Sequence, residues 1–171
     1  MANTYELIAS NTVGVLGSAS ITFSSIAATW TDLVLVTSLR SLNTSIDPAF
    51  ITFNGSSTGY SYKSIWSSGS GSPASYGSSS DTSLQFQYIP GATQTSNTFN
   101  NAQLYIPNYA GSNYKSVSID PVEENNATTA YIVPMAGLWS NTAAITSITL
   151  TGANASFAQY STAYLYGIKN S

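Results

Sequence analysis

Apolar and polar residues alternate along this chain with a period of two, the pattern of β-strands that bury one face. The clearest example is Ser83–Ile89, where Leu84, Phe86 and Tyr88 share one face and the glutamines between them occupy the other. At the start of Leu33–Arg40 both faces are largely apolar, which predicts a central strand buried on both sides. Helical periodicity is almost absent.

Further strand candidates are short β-branched or aromatic runs bounded by Gly, Pro, Asn or Ser. They are Tyr5–Ile8, Ser20–Phe23, Ala49–Asn54, Tyr60–Trp66, Ala102–Ile106, Tyr114–Ile119, Ala130–Trp139, Ala144–Leu150 and Thr162–Ile168. About ten strands at this spacing predict an all-β, jelly-roll-like antiparallel β-sandwich. An up-and-down barrel is the closest alternative. No linker divides the chain, so residues 1–171 are expected to form a single domain.

The alternation also predicts which side chains form the core. Those expected to point inward are Phe23, Leu33, Leu35, Phe53, Leu84, Phe86, Leu104, Ile119, Ile148, Leu150 and Leu165. A register error of one residue would turn each of them to the opposite face.

Turn residues predict the connections between the strands. The Ser/Gly-rich segment Ser67–Ser80 is expected to be an exposed, mobile loop, and Asn54-Gly55 marks a hairpin turn or a longer loop. Pro134 lies inside a predicted strand, which indicates an edge strand or a bulge there. The other prolines are expected at strand ends or in loops, namely Pro48, Pro73, Pro90, Pro107 and Pro121.

The composition narrows the possible chemistry. The 171 residues include no histidine and no cysteine, and only 6% are charged. No Ser-His-Asp triad, cysteine nucleophile or His/Cys zinc site can therefore be built, and we assign no catalytic, cofactor-binding or metal-binding residue. Four basic residues and a net charge of −3 argue against nucleic-acid binding. Low charge density also means weak repulsion between copies, which favours self-association.

The densest charge cluster is Asp120–Asn126. Clustered carboxylates could hold calcium, and a carboxylate pair could hydrolyse a glycoside, but the spacing matches no EF-hand loop. A solvated loop is the favoured interpretation. An enzyme such as a glycan depolymerase would depend on Asp120, Glu123 and Glu124, and it remains a minor alternative.

Aromatic residues are the main candidates for contacts with partners. Twelve tyrosines and three tryptophans are spread over the predicted strands and their ends. Aromatic side chains with a polar tip are enriched at protein interfaces. We predict contacts through strand edges, sheet faces and the aromatic residues Tyr5, Trp30, Tyr109 and Trp139, with the Ser67–Ser80 segment facing solvent.

Three stretches, taken in order, carry a resemblance to a known family. They are Ser20–Ile26 running into Thr31–Val36, then Phe53–Gly55 followed by Tyr60-Ser61, and finally Ile145–Leu150 with the closing Leu165–Ile168. Together they resemble the small β-sandwich virion proteins of tailed bacteriophages, especially those of marine and cyanobacterial hosts. The resemblance extends from Tyr5 to Ile168 and carries no catalytic residues.

The resemblance implies a non-enzymatic structural part on the virion surface. The expected function is a capsid decoration (cement) protein that stabilises the head, with the major capsid protein or other virion proteins as partners and a homotrimer as the expected oligomer. The alternative is a tail-fibre or appendage module that binds host surface glycans. The N-terminal residues show no secretion signal and no run is apolar enough to span a membrane, so synthesis in the host cytoplasm is expected, with neither membrane nor nucleic acid as a partner.

Overall fold

The computed structural model describes residues 4–126 and 130–169, and these residues form strands but no helix. The strands are β1 (Tyr5–Thr12), β2 (Ser20–Phe23), β3 (Asp32–Leu39), β4 (Asp47–Phe53), β5 (Tyr60–Ser68), β6 (Ala74–Asp81), β7 (Leu84–Ile89), β8 (Asn100–Ile106), β9 (Lys115–Glu123), β10 (Tyr131–Ile132), β11 (Met135–Trp139), β12 (Ile148–Gly152) and β13 (Thr162–Ile168). The all-β prediction is confirmed.

The strands form two antiparallel sheets. The large sheet has the order β1-β13-β3-β8-β9-β10-β5-β11, with β6 paired to β5 and β11 also paired to β9. The small sheet has the order β2-β12-β4-β7. Successive strands repeatedly change sheet, as β2, β4, β7 and β12 belong to the small sheet and β3, β5, β8 and β13 to the large one. This jelly-roll-like connectivity confirms the sandwich and excludes an up-and-down barrel, in which consecutive strands are neighbours.

All eleven side chains expected in the core are buried between the sheets. The alternation predicted them correctly because every second side chain of a strand points into the core. At the start of β3 the outward side chains Asp32 and Val34 are buried as well, as predicted for a central strand. The largest buried side chains add an aromatic cluster, in which the Trp139 ring stacks on Tyr60 at a centroid distance of 6.2 Å and lies 5.7 Å from Phe53. Aromatic contacts at these distances contribute beyond the area that they bury.

The Ser67–Ser80 segment is not a loop, which corrects the sequence prediction. β5 continues to Ser68, and β6 pairs with it antiparallel, with Ser64 opposite Tyr76. Tyr76 anchors the hairpin through an edge-on ring contact with Tyr62, whose centroid is 5.6 Å away. Ladder hydrogen bonds and this aromatic pair outweigh the low strand propensity of serine and glycine.

Two prolines depart from their predicted places. Pro48 lies at the start of β4, as predicted, but Pro121 lies within β9, where its carbonyl group accepts a hydrogen bond from Val133 although its nitrogen cannot donate. Pro134 lies at neither an edge nor a bulge. The predicted strand Ala130–Trp139 lies between β9 and β5, and Pro134 interrupts its pairing. The strand is therefore divided into β10 and β11.

The segment around Asn54 decides one prediction and corrects another. β4 and β5 belong to different sheets, so Asn54-Gly55 begins the longer of the two predicted connections, a loop that crosses between the sheets, and not a hairpin turn. The Asn54 side chain accepts hydrogen bonds from the Thr146 and Ser147 amides and donates one to the Ala144 carbonyl. The 144–147 backbone is therefore bound to a side chain, and β12 begins only at Ile148.

Two of the four basic side chains are buried and hold loops in place. The Arg40 guanidinium donates to four main-chain carbonyls of the 91–98 loop. The Lys115 ammonium donates to carbonyls in the 111–113 turn and at Asn141. Burial lowers the pKa of both groups.

Candidate interaction surface

Six side chains on the outward face of the large sheet form a contiguous surface, which we call the tyrosine patch. They are Tyr5, Leu7, Val34, Tyr105, Tyr164 and Tyr166. Their direction follows from the alternation, because Leu33 and Leu35 on β3 are fully buried in the core and Val34 between them must point the other way.

Strand register brings the patch together. Leu7 on β1 pairs with Tyr166 on β13, which pairs with Val34 on β3, which in turn pairs with Tyr105 on β8. Directly paired residues have neighbouring side chains, so these four form one row across four strands. Residues that are far apart in the sequence thus build one surface.

The patch is partly open to solvent. Tyr5 is 55% exposed and Leu7 is 53% exposed, whereas Val34 is only 2% exposed because tyrosines flank it on both neighbouring strands. The ring of Tyr5 meets Tyr166 edge-on at a centroid distance of 6.4 Å. The rings therefore form a layer over the outward face of the sheet.

Hydrogen bonds fix one end of the patch. The Tyr105 hydroxyl donates to Asp32 Oδ2 at 2.8 Å, and Asp32 Oδ1 accepts from the Asn108 amide at 2.8 Å. The Asp32 carboxylate raises the pKa of Tyr105, so the phenol remains a neutral donor. A ring held in this way has little rotamer freedom to lose when a partner covers it.

Edge strand β1 also carries the carboxylate of Glu6, which alternates with Tyr5 and Leu7 and therefore points to the face opposite the tyrosine patch. Glu6 Oε2 accepts a hydrogen bond from Trp30 Nε1 at 3.1 Å and lies 3.4 Å from Lys169 Nζ. The hydrogen bond from Trp30 is the main cause that lowers the pKa of Glu6, and Lys169 is the second. Trp30 covers Gly167 so closely that a Cβ there would lie 2.2 Å from the indole.

The four predicted interface residues divide into two groups. Tyr5 belongs to the tyrosine patch, whereas half-buried Trp30 packs over Gly167 and against the core, on the opposite face of the sheet. Tyr109 and Trp139 are buried, so their side chains have no surface for a partner and we remove them from the candidate interface. The Tyr109 hydroxyl instead donates to the Ala27 carbonyl. Sequence analysis could not separate the groups, because an aromatic residue at a strand end suits either place.

The acidic run is also placed differently from the prediction. Asp120 to Glu123 belong to β9, so the solvated-loop interpretation is wrong for these residues. Alternation turns Asp120 outward and Glu123 inward, where Glu123 is buried, while Glu124 is exposed. In residues 4–126 and 130–169, no group of three or more acidic side chains is arranged to hold a metal ion.

A second exposed apolar surface was missed by the sequence analysis. The loop-end patch consists of Val15, Leu16, Leu42 and Tyr160, with Leu16 as much as 92% exposed. Main-chain bridges from Phe157 to Ser18 and Ser41 hold its three loops together. The sequence does not reveal this patch, because its members are single apolar residues in separate polar loops. Only the fold brings these loops to one end of the sandwich.

No protein-family model matches the chain, and no curated protein is similar enough to match it. Within the described ranges, no helix is long and apolar enough to cross a membrane.

Proposed function

We propose that this protein is a non-enzymatic structural component of a tailed-phage virion, which decorates the capsid surface by docking through the tyrosine patch. The observation that carries the proposal is a partly exposed layer of tyrosine and aliphatic side chains on one face of the large sheet, anchored by the hydrogen bond of Tyr105. The sequence resemblance to phage virion proteins supplies the setting.

The surroundings of the patch suit a protein partner. Stable interfaces have an aromatic, apolar centre with a polar rim. Here the rings are bordered by the polar residues Ser10, Thr12 and Gln103, which lie on the same outward face of β1 and β8. The one carboxylate on β1, Glu6, points to the opposite face of the sheet, so docking through the patch would not bury it.

The proposed partner is the major capsid protein, and the proposed assembly is a homotrimer at the symmetry axes of the head. Closed symmetry lets identical copies present identical patches to an ordered lattice. A tail-fibre or appendage location would use the same sandwich in far fewer copies.

The test is quantitative mass spectrometry of purified virions from the phage that carries the gene, with cryo-electron microscopy to locate the protein. A copy number that matches capsid symmetry axes supports decoration. A few copies confined to the tail would indicate the appendage module, and absence from the virion would overturn the proposal.

Variants of the same experiment test the docking surface. We expect Leu7→Ser to reduce incorporation by about tenfold, because it removes an exposed apolar side chain from the patch. The matched control is Leu138→Ser, on the outward face of β11, which should incorporate normally. If Leu16→Ser in the loop-end patch abolishes incorporation and Leu7→Ser does not, docking occurs at the other surface.

A further inference from the structure

The loop-end patch has a protruding part, formed by the turn between β1 and β2. The Gly17 amide donates to the Gly14 carbonyl at 3.0 Å, which closes a turn with Val15 and Leu16 at its two central positions. Such positions usually carry Gly, Pro, Asn, Asp or Ser. Here they carry two aliphatic side chains that are 77% and 92% exposed. We call Val15 and Leu16 the knob.

Main-chain hydrogen bonds hold the knob on both sides. Before the turn, Val13 donates to the Ser161 carbonyl at 2.8 Å and accepts from the Tyr160 amide at 3.0 Å. After the turn, Ser18 and Phe157 exchange two main-chain hydrogen bonds, of 3.0 and 2.8 Å. A turn fixed in this way loses little conformational freedom when a partner covers it.

A groove of about 410 Å³ lies beside the knob. Its apolar lining comprises Val15, Leu42, Phe99, Ala158 and Tyr160. Leu16 is not part of this lining, so the groove is not filled by the most exposed side chain of its own chain. Apolar side chains that carry much of the energy of an interface are typically buried in pockets of the partner.

Tyr160, on the wall of the groove, has a main-chain conformation that is unfavourable for tyrosine. Its φ is 70°, in the left-handed region that bulky side chains rarely adopt. The side chain is 68% exposed, so burial in the core does not compensate for this strain. Residues strained in this way are concentrated at functional sites, and here the strained residue presents an aromatic ring beside the groove.

The four loops that form this end of the sandwich present almost no charge. They are residues 13–19, 40–46, 91–99 and 153–161. Arg40 is the one charged residue within them, and it is 9% exposed because its guanidinium is bonded to carbonyls of the 91–98 loop. Each copy of the chain carries a net charge of −3, but two copies can meet at this end without burying an unpaired charge.

The knob and the groove together favour a second copy of this chain as the partner. A knob alone would suit a lipid surface, and a groove alone would suit a small ligand. Each copy instead has both a protruding apolar side chain and a groove that can receive one. A cyclic trimer needs two different surfaces, one from each of two neighbours, and the knob and the groove are two such surfaces.

We infer that the loop-end patch joins copies of this chain, with Leu16 of one copy inserted into the groove of the next around a three-fold axis. The uncharged residues Ser96, Asn97 and Gln159 line the same groove and supply the polar rim of this contact. The three-fold closure rests on the proposed function, whereas the contact itself rests on the knob and the groove.

The experiment is sedimentation velocity of the full chain at about 1 to 200 μM. We expect a particle of three times the 18.0 kDa chain mass. Leu16→Ser should weaken association by at least about tenfold, because it removes the most exposed apolar side chain of the knob. The matched control is Leu7→Ser, an exposed leucine of the tyrosine patch, which should associate as the wild type does.

The groove is tested from its own side. Ser96→Trp should fill it and weaken association by about tenfold, whereas Ala92→Trp, exposed in the same loop but outside the lining, should not. Tyr160→Gly should also weaken association. This variant should keep its fold, as judged by circular dichroism, because glycine adopts a positive φ without strain.

The inference is overturned if the chain is a monomer over the whole concentration range, or if Leu7→Ser and Leu16→Ser weaken association equally. A monomer that needs Leu16 to bind phosphatidylcholine vesicles would show that the knob meets a membrane instead. A dimer that Leu16→Ser dissociates would support the contact and overturn its three-fold closure.

Failure of this inference is distinguishable from failure of the proposed function. Sedimentation of the isolated chain reports the contact between copies without any virion. Docking through the tyrosine patch is reported by Leu7→Ser, which should remain associated in solution and yet be incorporated poorly into virions.

Discussion

The outward face of the large sheet has two halves that differ in chemistry although they share one hydrogen-bonded scaffold. On β1, β13, β3 and β8 it carries the tyrosine patch. On β9 and β5 the central outward positions are Ser116, Ser118, Ser61 and Lys63. Tyr105 and Ser118 pair directly across the boundary between these tyrosine and serine halves.

The different outward side chains of the two halves are not explained by the needs of folding. Beneath both halves the inward side chains are equally buried, as Leu35 under the tyrosine half and Ile119 under the serine half show. The core therefore does not explain why one outward half is aromatic. An exposed apolar layer that folding does not require is the expected mark of an interaction surface.

The largest expected effect is a loss of stability when a core side chain is truncated, and it should be the same beneath both halves. Leu35→Ala and Ile119→Ala should each lower the free energy of unfolding by about 2–5 kcal/mol, because each leaves a cavity in a shared core. Urea denaturation measures the change. If either variant is as stable as the wild type, the core does not extend beneath that half.

At the boundary between the halves, removing a side-chain hydroxyl should lower stability in the tyrosine half but not in the serine half. Tyr105→Phe should cost about 1–2 kcal/mol, because buried Asp32 loses a hydrogen-bond donor. Ser118→Ala, at the paired position, should change stability by less than about 0.5 kcal/mol. Equal costs from the two changes would mean that the hydroxyl of Tyr105 does not anchor the patch.

The smallest effect concerns pH at the edge of the tyrosine half. The pKa of Glu6 is lowered in the folded state, so its contribution is present above the ordinary value of 4.5 and is lost as pH falls through the lowered pKa. We expect the Trp30 indole N–H resonance to move in this acidic range, since its hydrogen bond to Glu6 weakens. Glu6→Gln should abolish the transition, and its persistence there would assign the transition to another group.

Local pattern predicted much of the fold because strand alternation is a local property. Ser83–Ile89 and Leu33–Arg40 were placed almost as β7 and β3 are observed, and the core side chains followed from the same alternation. The pattern failed where tertiary contacts oppose propensity. Pairing with β5 makes a strand of Ser/Gly-rich β6, and the Asn54 side chain keeps residues 144–147 out of β12.

The candidate surfaces were predicted less well than the fold. Of the four aromatics chosen, Tyr5 is exposed and Trp30 is half-buried, but Tyr109 and Trp139 are buried. The acidic cluster Asp120–Asn126 has the composition of a loop. The sequence therefore did not show that Asp120 to Glu123 belong to a strand, in which Glu123 turns inward and Asp120 turns outward. Which aromatics meet depends on strand order, and strand order is not a local property of the sequence.

The sequence by itself determined that the chain forms β-strands, which of their faces are buried, and that histidine and cysteine chemistry is excluded, because each depends only on residue type and local spacing. The tertiary structure decided the rest. Register across β1, β13, β3 and β8 assembled the tyrosine patch, and alternation along β9 turned Glu123 inward and Asp120 outward. The physical reason is that a surface is built from residues distant in sequence, and only long-range strand pairing makes them neighbours.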